Sequence, residues 1–129
     1  MSYYIARTVP LDFEAAVSRT EEALKGEGFG IISRIDIQEA LRSKIGAKFR
    51  PYTILGACNP TLAHQALQLE DKVGTMLPCN VVVQQTVSGE TEVAAVDPVA
   101  SMTAIDNPAL KQAAEHVREK LEKAISSLA

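Results

Sequence analysis

A chain of 129 residues fits one domain of ordinary size, and at that length about two thirds of the unfolded surface is buried on folding, so no disulfide or metal staple is needed. A net charge of −3 offers no concentrated cationic face for nucleic acid. With 47% hydrophobic and 22% charged residues the composition is that of a soluble globule, and its apolar stretches fall far short of the ~20 residues that span a bilayer. Nucleic acid and membrane are therefore not expected partners. The start shows no basic segment followed by an apolar run and a cleavage site, so the expected setting is the reducing cytoplasm. The two cysteines, Cys58 and Cys79, are then spare thiols rather than a structural disulfide.

Along the chain, Tyr3 to Thr8 reads as a short strand, and Asp12 suits a helix start because its carboxylate accepts a free backbone N–H. Phe13, Ala16, Val17, Thr20 and Leu24 then share one helical face, with Gly26 and Gly28 ending the helix. Phe29 to Ile35 is a second strand. Asp36 and Glu39 have capping-box spacing for a short helix that runs through about Ile45 and is closed by Gly46. A third strand spans Tyr52 to about Cys58. Asn59-Pro60 opens a helix of about 13 residues with an apolar stripe of Leu62, Ala66, Leu67 and Leu69. Cys79 to Val87 is the strongest strand signal, and Ser88-Gly89 joins it to Thr91–Asp97 as an antiparallel hairpin. Asn107-Pro108 opens the last helix, with Leu110, Ala114, Val117, Leu121, Ile125 and Leu128 facing inward and Glu119 paired with Lys123 outside. About five strands and four helices in one domain predict a two-layer α+β sandwich.

Asn-Pro occurs twice, each time as a helix start, where Asn caps and Pro loses only an N–H that has no partner. The residue before it differs: Cys58 in one case, Asp106 in the other. A thiol just before a helix N-terminus lies near unpaired N–H groups and the positive end of the dipole, which favours thiolate. Strand alternation puts Tyr52, Ile54, Gly56 and Cys58 on one face and Thr53, Leu55 and Ala57 on the other. Gly56 leaves room beside Cys58 that either a ligand or close packing would use, with packing the commoner reason for such a glycine. His64 follows one turn into the helix. Cys58, His64 and Cys79 make a soft donor set for zinc, copper or a haem iron, although the spacing matches no strong zinc pattern and a fourth ligand is not evident. A redox pair in which Cys58 attacks and Cys79 resolves fits the same residues, as does burial of both cysteines as small hydrophobes.

Whether the two thiols meet depends on the crossover between their strands, and an antiparallel and a parallel return are both compatible with the segment lengths. Arg42, Lys44, Lys48 and Arg50 put four cations in nine residues. Without a glycine-rich phosphate cradle, that run reads as a solvated helix face rather than an anion site. No Walker loop, G-x-G-x-x-G or G-x-S-x-G element is present.

The run Phe49-Arg50-Pro51-Tyr52-Thr53-Ile54-Leu55-Gly56-Ala57-Cys58-Asn59-Pro60, then Ala63-His64 and Ala66-Leu67, and later Leu77-Pro78-Cys79-Asn80-Val81-Val82-Val83, resembles the signature of the domain of unknown function 302 family. The likeness covers nearly the whole chain, including Val96-Asp97-Pro98 and the closing helix. It implies a β-α-β(4)-α fold of the TATA-binding-protein-like class. The sheet would be antiparallel and would carry Cys58 and Cys79 at the same end. The motif residues that come with the likeness are Gly56, Cys58, Asn59, Pro60, His64, Pro78, Cys79 and Asn80, while the reaction stays open, since fold does not supply function.

The expected function is a small module using the Cys58/Cys79 end of the sheet for thiol redox, sulfur-handling or soft-metal chemistry. The alternative is a non-catalytic module that binds an apolar or acidic small molecule in the gap beside Gly56, or a protein partner. Gly56, Cys58, Asn59, His64, Cys79 and Asn80 are the expected ligand-binding residues, with Cys58, His64 and Cys79 as metal ligands and Cys58 and Cys79 as reacting groups. A homodimer through the sheet edge or the flank of the final helix is compatible with the pattern.

Overall fold

A computed structural model describes residues 2–128. Strands β1 (Tyr4–Val9), β2 (Gly30–Asp36), β3 (Tyr52–Cys58), β4 (Cys79–Gln85) and β5 (Thr91–Val96) form one antiparallel sheet in the order β1-β5-β4-β3-β2. Helices α1 (Phe13–Gly26), α2 (Ile37–Ile45), α3 (Pro60–Leu69), α4 (Pro98–Ser101) and α5 (Pro108–Ser126) fill the connections and the chain end. The architecture is an α+β two-layer sandwich.

The helix starts follow from side-chain chemistry. Asp12 accepts from the Ala15 N–H at 2.8 Å, Asp36 from Glu39 at 2.9 Å and Asn59 from Leu62 at 3.2 Å, each satisfying a donor that the first turn leaves unpaired. Gly46 closes α2 at φ 65°, a left-handed conformation open to glycine at little cost. Asp97, placed in a strand by the sequence reading, instead caps the four-residue α4 by accepting from Val99 and Ala100. Its other oxygen takes a hydrogen bond from Arg118 Nε at 3.0 Å, which ties the end of β5 to α5.

One sheet face packs on α1 and α5. Leu24, Phe29, Leu55, Val81, Val83, Val93 and Leu121 are essentially sealed from solvent there, and each such side chain contributes roughly 1.5–3 kcal/mol by leaving water. A second apolar cluster, of Ala66, Val73, Met102, Leu110 and Ala114, lies where α3, α4 and α5 meet. Among the described residues no helix is long and apolar enough to cross a membrane.

The segment after α3 departs from expectation. The helix stops at Leu69 after ten residues rather than about 13, and Asp71–Met76 is a 3₁₀ turn. That turn brings Val73 into the second cluster, fully buried. Val73 thereby takes the buried position expected of Leu67 and Leu69, which are left 44% and 40% exposed. Asn107 Nδ2 donates to the Leu69 carbonyl at 3.2 Å and so satisfies one of the acceptors at the helix end.

Candidate functional site

β3 and β4 pair antiparallel with Ala57 opposite Cys79. This register brings Cys58 and Cys79 to one end of the sheet, as the family resemblance implies. The two lie a single residue out of direct opposition. Cys79 shares the covered face with Ala57 and is buried, whereas Cys58, where the strand turns into α3, is half-buried. Both are free thiols.

Both also line a cavity of about 220 Å³ between that end of the sheet and helices α3, α4 and α5. Phe29, Ala57, Leu62, Ala66, Leu77, Pro78, Met102, Leu110, Ala114 and Val117 form most of the wall. Small residues make the room: Ala63 and Ala66 on α3 and Ala113 and Ala114 on α5 all line it. Ile32, 63% exposed, stands at the edge of the cavity and marks its solvent side. Asn59 and the two thiols are the lining side chains that can donate a hydrogen bond, and no lysine, arginine or histidine is among the lining residues. Asn59 spends its oxygen on capping α3. Its Nδ2 lies 3.1 Å from where a side chain on Gly28 would begin, a tight contact, and the φ of 87° at this position favours glycine.

Burial sets the state of Cys79. Desolvation, helped by the nearby Cys58 thiol, pushes its pKa up from 9.0 to about 11. At neutral pH it is a protonated thiol, a soft and nearly apolar part of the wall. Burial and Cys58 both favour the protonated form, and among the described residues no positive group lowers its pKa towards thiolate.

The other expected site residues lie elsewhere. Gly56 borders no gap: a Cβ there would collide with the Ser33 hydroxyl and lie 2.9 Å from Pro78 Cγ, so the glycine is demanded by packing. The room expected beside it is filled, and the empty space is on the opposite side of the sheet. His64 is exposed on α3 and does not line the cavity. Among the described residues no three His, Cys, Asp or Glu side chains are grouped to hold a metal ion. Cys58, His64 and Cys79 are thus not assembled into one soft-metal or haem-iron set. Asn80 pairs with Gly56 and points to the uncovered face, exposed. Arg50 leaves the cation run of α2 and the following loop. It lies 4.4 Å over the Phe49 ring and donates from Nε to Gln84 at 3.0 Å. Arg42, Lys44 and Lys48 are exposed, as expected of a solvated face.

Sequence reasoning placed Leu110, Ala114 and Val117 on an inward stripe but not around a void. Met102, Leu77 and Pro98 escaped it, because they come from the 3₁₀ connection and the unforeseen α4. The pattern that carried the information is Ala63 with Ala66 and Ala113 with Ala114, small residues on two helices that the fold sets face to face.

The family profile described as Domain of unknown function DUF302 matches residues 5–128. Among solved structures, the crystal structure of an uncharacterized conserved protein DUF302 from Bacillus stearothermophilus is similar over 98% of both chains, with 30% identity and a TM-score of 0.92. No curated protein matches the chain.

Proposed function

Since this chain belongs to the DUF302 family, whose description assigns no activity, we propose from its own geometry that it is a binding module for a small, neutral, apolar molecule. The observation that carries this reading is the cavity of about 220 Å³ with an almost wholly hydrocarbon wall. Apolar voids of about 150 Å³ take up benzene, and scaling by volume gives an occupant of about nine non-hydrogen atoms. An acidic ligand finds no cation there. The cysteines contribute soft wall surface, and Asn59 places one polar group at the rim.

The reading is tested by methyl NMR of the full chain titrated with p-xylene. Burying its eight carbons is worth roughly 6 kcal/mol at best, which corresponds to a Kd on the order of tens of micromolar. Saturable shifts at Leu62, Met102, Leu110 and Val117 are expected. Shifts that grow linearly without saturation, or that spread over the surface, overturn it. Thiol chemistry at the same cavity is the rival reading, supported by the presence of both cysteines in one wall. In its two-thiol form, with Cys58 attacking and Cys79 resolving, it requires Cys79 to ionise and react with iodoacetamide at pH 7. A buried thiol with its pKa raised to about 11 predicts that it does not.

A further inference from the structure

We propose that the uncovered face of the sheet is a self-complementary surface that pairs two copies of this chain about a two-fold axis running along β4. One row of residues crosses all five strands on that face: Ala6, Ala94, Val82, Ile54 and Ile35, each opposite the next. The row is entirely apolar and partly exposed, Ile35 by 47%. An apolar row on the solvent side of an antiparallel sheet departs from the usual polar alternation.

β4 is the central strand, and the row is lopsided about it. The β1/β5 half carries alanines and the β3/β2 half carries isoleucines. A two-fold axis along β4 preserves rows and exchanges the halves. Ala94 then meets Ile54 of the second copy, Ala6 meets its Ile35, and Val82 meets Val82. Alanines oppose isoleucines on either side of a Val82–Val82 contact on the axis, which suits interdigitated packing of two sheets about 10 Å apart.

The next row carries the charges with the same asymmetry. Glu92 on β5, Gln84 on β4 and Tyr52 on β3 lie side by side. Gln84 accepts from Arg50 on the β3 side and donates to Glu92 at 3.1 Å on the β5 side. Arg50 and Glu92 therefore flank the axis strand with opposite signs. Exchange of the halves brings Arg50 of each copy towards Glu92 of the other. Like charges do not meet, so the face complements itself in charge as well as in shape.

Five strands and three rows make a face of roughly 20 Å by 20 Å, about 400 Å² per copy, which belongs with the smaller, transient interfaces. A concentration-dependent dimer follows. It is tested by sedimentation equilibrium of the full chain at concentrations up to ~1 mM, where a weak pair of this size is populated. A monomer–dimer equilibrium is expected. Arg50→Glu and Glu92→Arg should each weaken it about tenfold, and the double variant should recover most of that loss. Ala94→Arg, on the solvent side of the sheet, should abolish it. Isotope-filtered NOEs in the wild type supply a readout that needs no variant: contacts between Ala94 and Ile54 of different copies are expected. A chain monomeric at every concentration overturns the proposal. So does a dimer that Ala94→Arg leaves intact, one that the double charge reversal fails to restore, or one without those NOEs.

Discussion

Ala114→Leu is the perturbation most sensitive to whether the cavity is real space. Ala114 is 3% exposed on α5 and forms part of the cavity wall. Leucine is nearly as good a helix former as alanine, so the backbone term is small. Three added carbons entering an apolar void gain about 2.4 kcal/mol at ~0.8 kcal/mol each, and fixing the leucine rotamer returns ~0.5–1 kcal/mol of that. A net stabilisation of about 1.5–2 kcal/mol remains. For a chain of 129 residues the unfolding entropy near Tm is roughly 0.27 kcal/mol per kelvin, so Tm should rise by about 6–7 °C. Scanning calorimetry reads this directly, and the same variant should lose saturable p-xylene binding. If the space is already filled, the leucine overpacks it, costs ~1–3 kcal/mol and lowers Tm instead. A fall in Tm, or undiminished p-xylene binding, would mean that Ala114 borders no free apolar space.

Three further outcomes follow from single residues. Cys79 has a folded pKa raised by burial from 9.0 to about 11; the unfolded thiol releases its proton first as pH rises, so this contribution to stability is intact below about pH 9 and is lost between about pH 9 and 11, up to ~2–3 kcal/mol. Urea melts at pH 7, 9 and 10.5 should show that loss in the wild type and a smaller one in Cys79→Ala; equal losses contradict it. Gly56→Ala should destabilise by ~1–3 kcal/mol because its Cβ meets Ser33 and Pro78, with partial relief in Gly56→Ala/Ser33→Gly; a neutral Gly56→Ala in denaturant titration means open space after all. Thr20 is buried on α1 with its hydroxyl unpartnered, so the near-isosteric Thr20→Val should raise the unfolding free energy by about 1 kcal/mol, and a lower midpoint in urea would show that the hydroxyl has a partner.

Much of the fold was legible because local chemistry and tertiary need agree. Asp12, Asp36, Asn59 and Asn107 each start the helix expected of them, since a capping side chain acts within three residues of itself. The alternation of β3 was equally readable: Thr53, Leu55 and Ala57 are buried on the helix side, as period-2 patterning requires. The segment from Leu67 to Leu77 was not. Its leucines fit a longer helix, and only the position of Val73 in a cluster shared with α4 and α5 explains why the chain breaks off into a 3₁₀ turn.

The site was half legible for a related reason. Cys58 and Asn59 announced themselves through the helix start, and Cys79 through the pairing that the family resemblance implied. Gly56 drew attention to the wrong side of the sheet, because a glycine in a strand reads the same whether a ligand or a neighbouring side chain such as Ser33 takes its space. His64 sits one helical turn from Cys58 in sequence, yet its direction on α3 carries it to solvent. The cavity itself is made by Phe29, Ala66, Met102 and Leu110, residues scattered over some eighty positions that only the packed helices bring together. The apolar row on the other face was hidden in the same way, because its five members come from five strands whose order is a property of the topology.

An apolar cavity of about 220 Å³ lies beside Cys58 and Cys79. Crystals of the chain pressurised with xenon test it most directly, since xenon enters dry hydrocarbon cavities and avoids hydrated ones. A xenon peak bordered by Leu62, Ala66, Met102, Leu110 and Cys79 is expected. Ordered waters in that space, or side chains closed over it with no xenon bound, would contradict it.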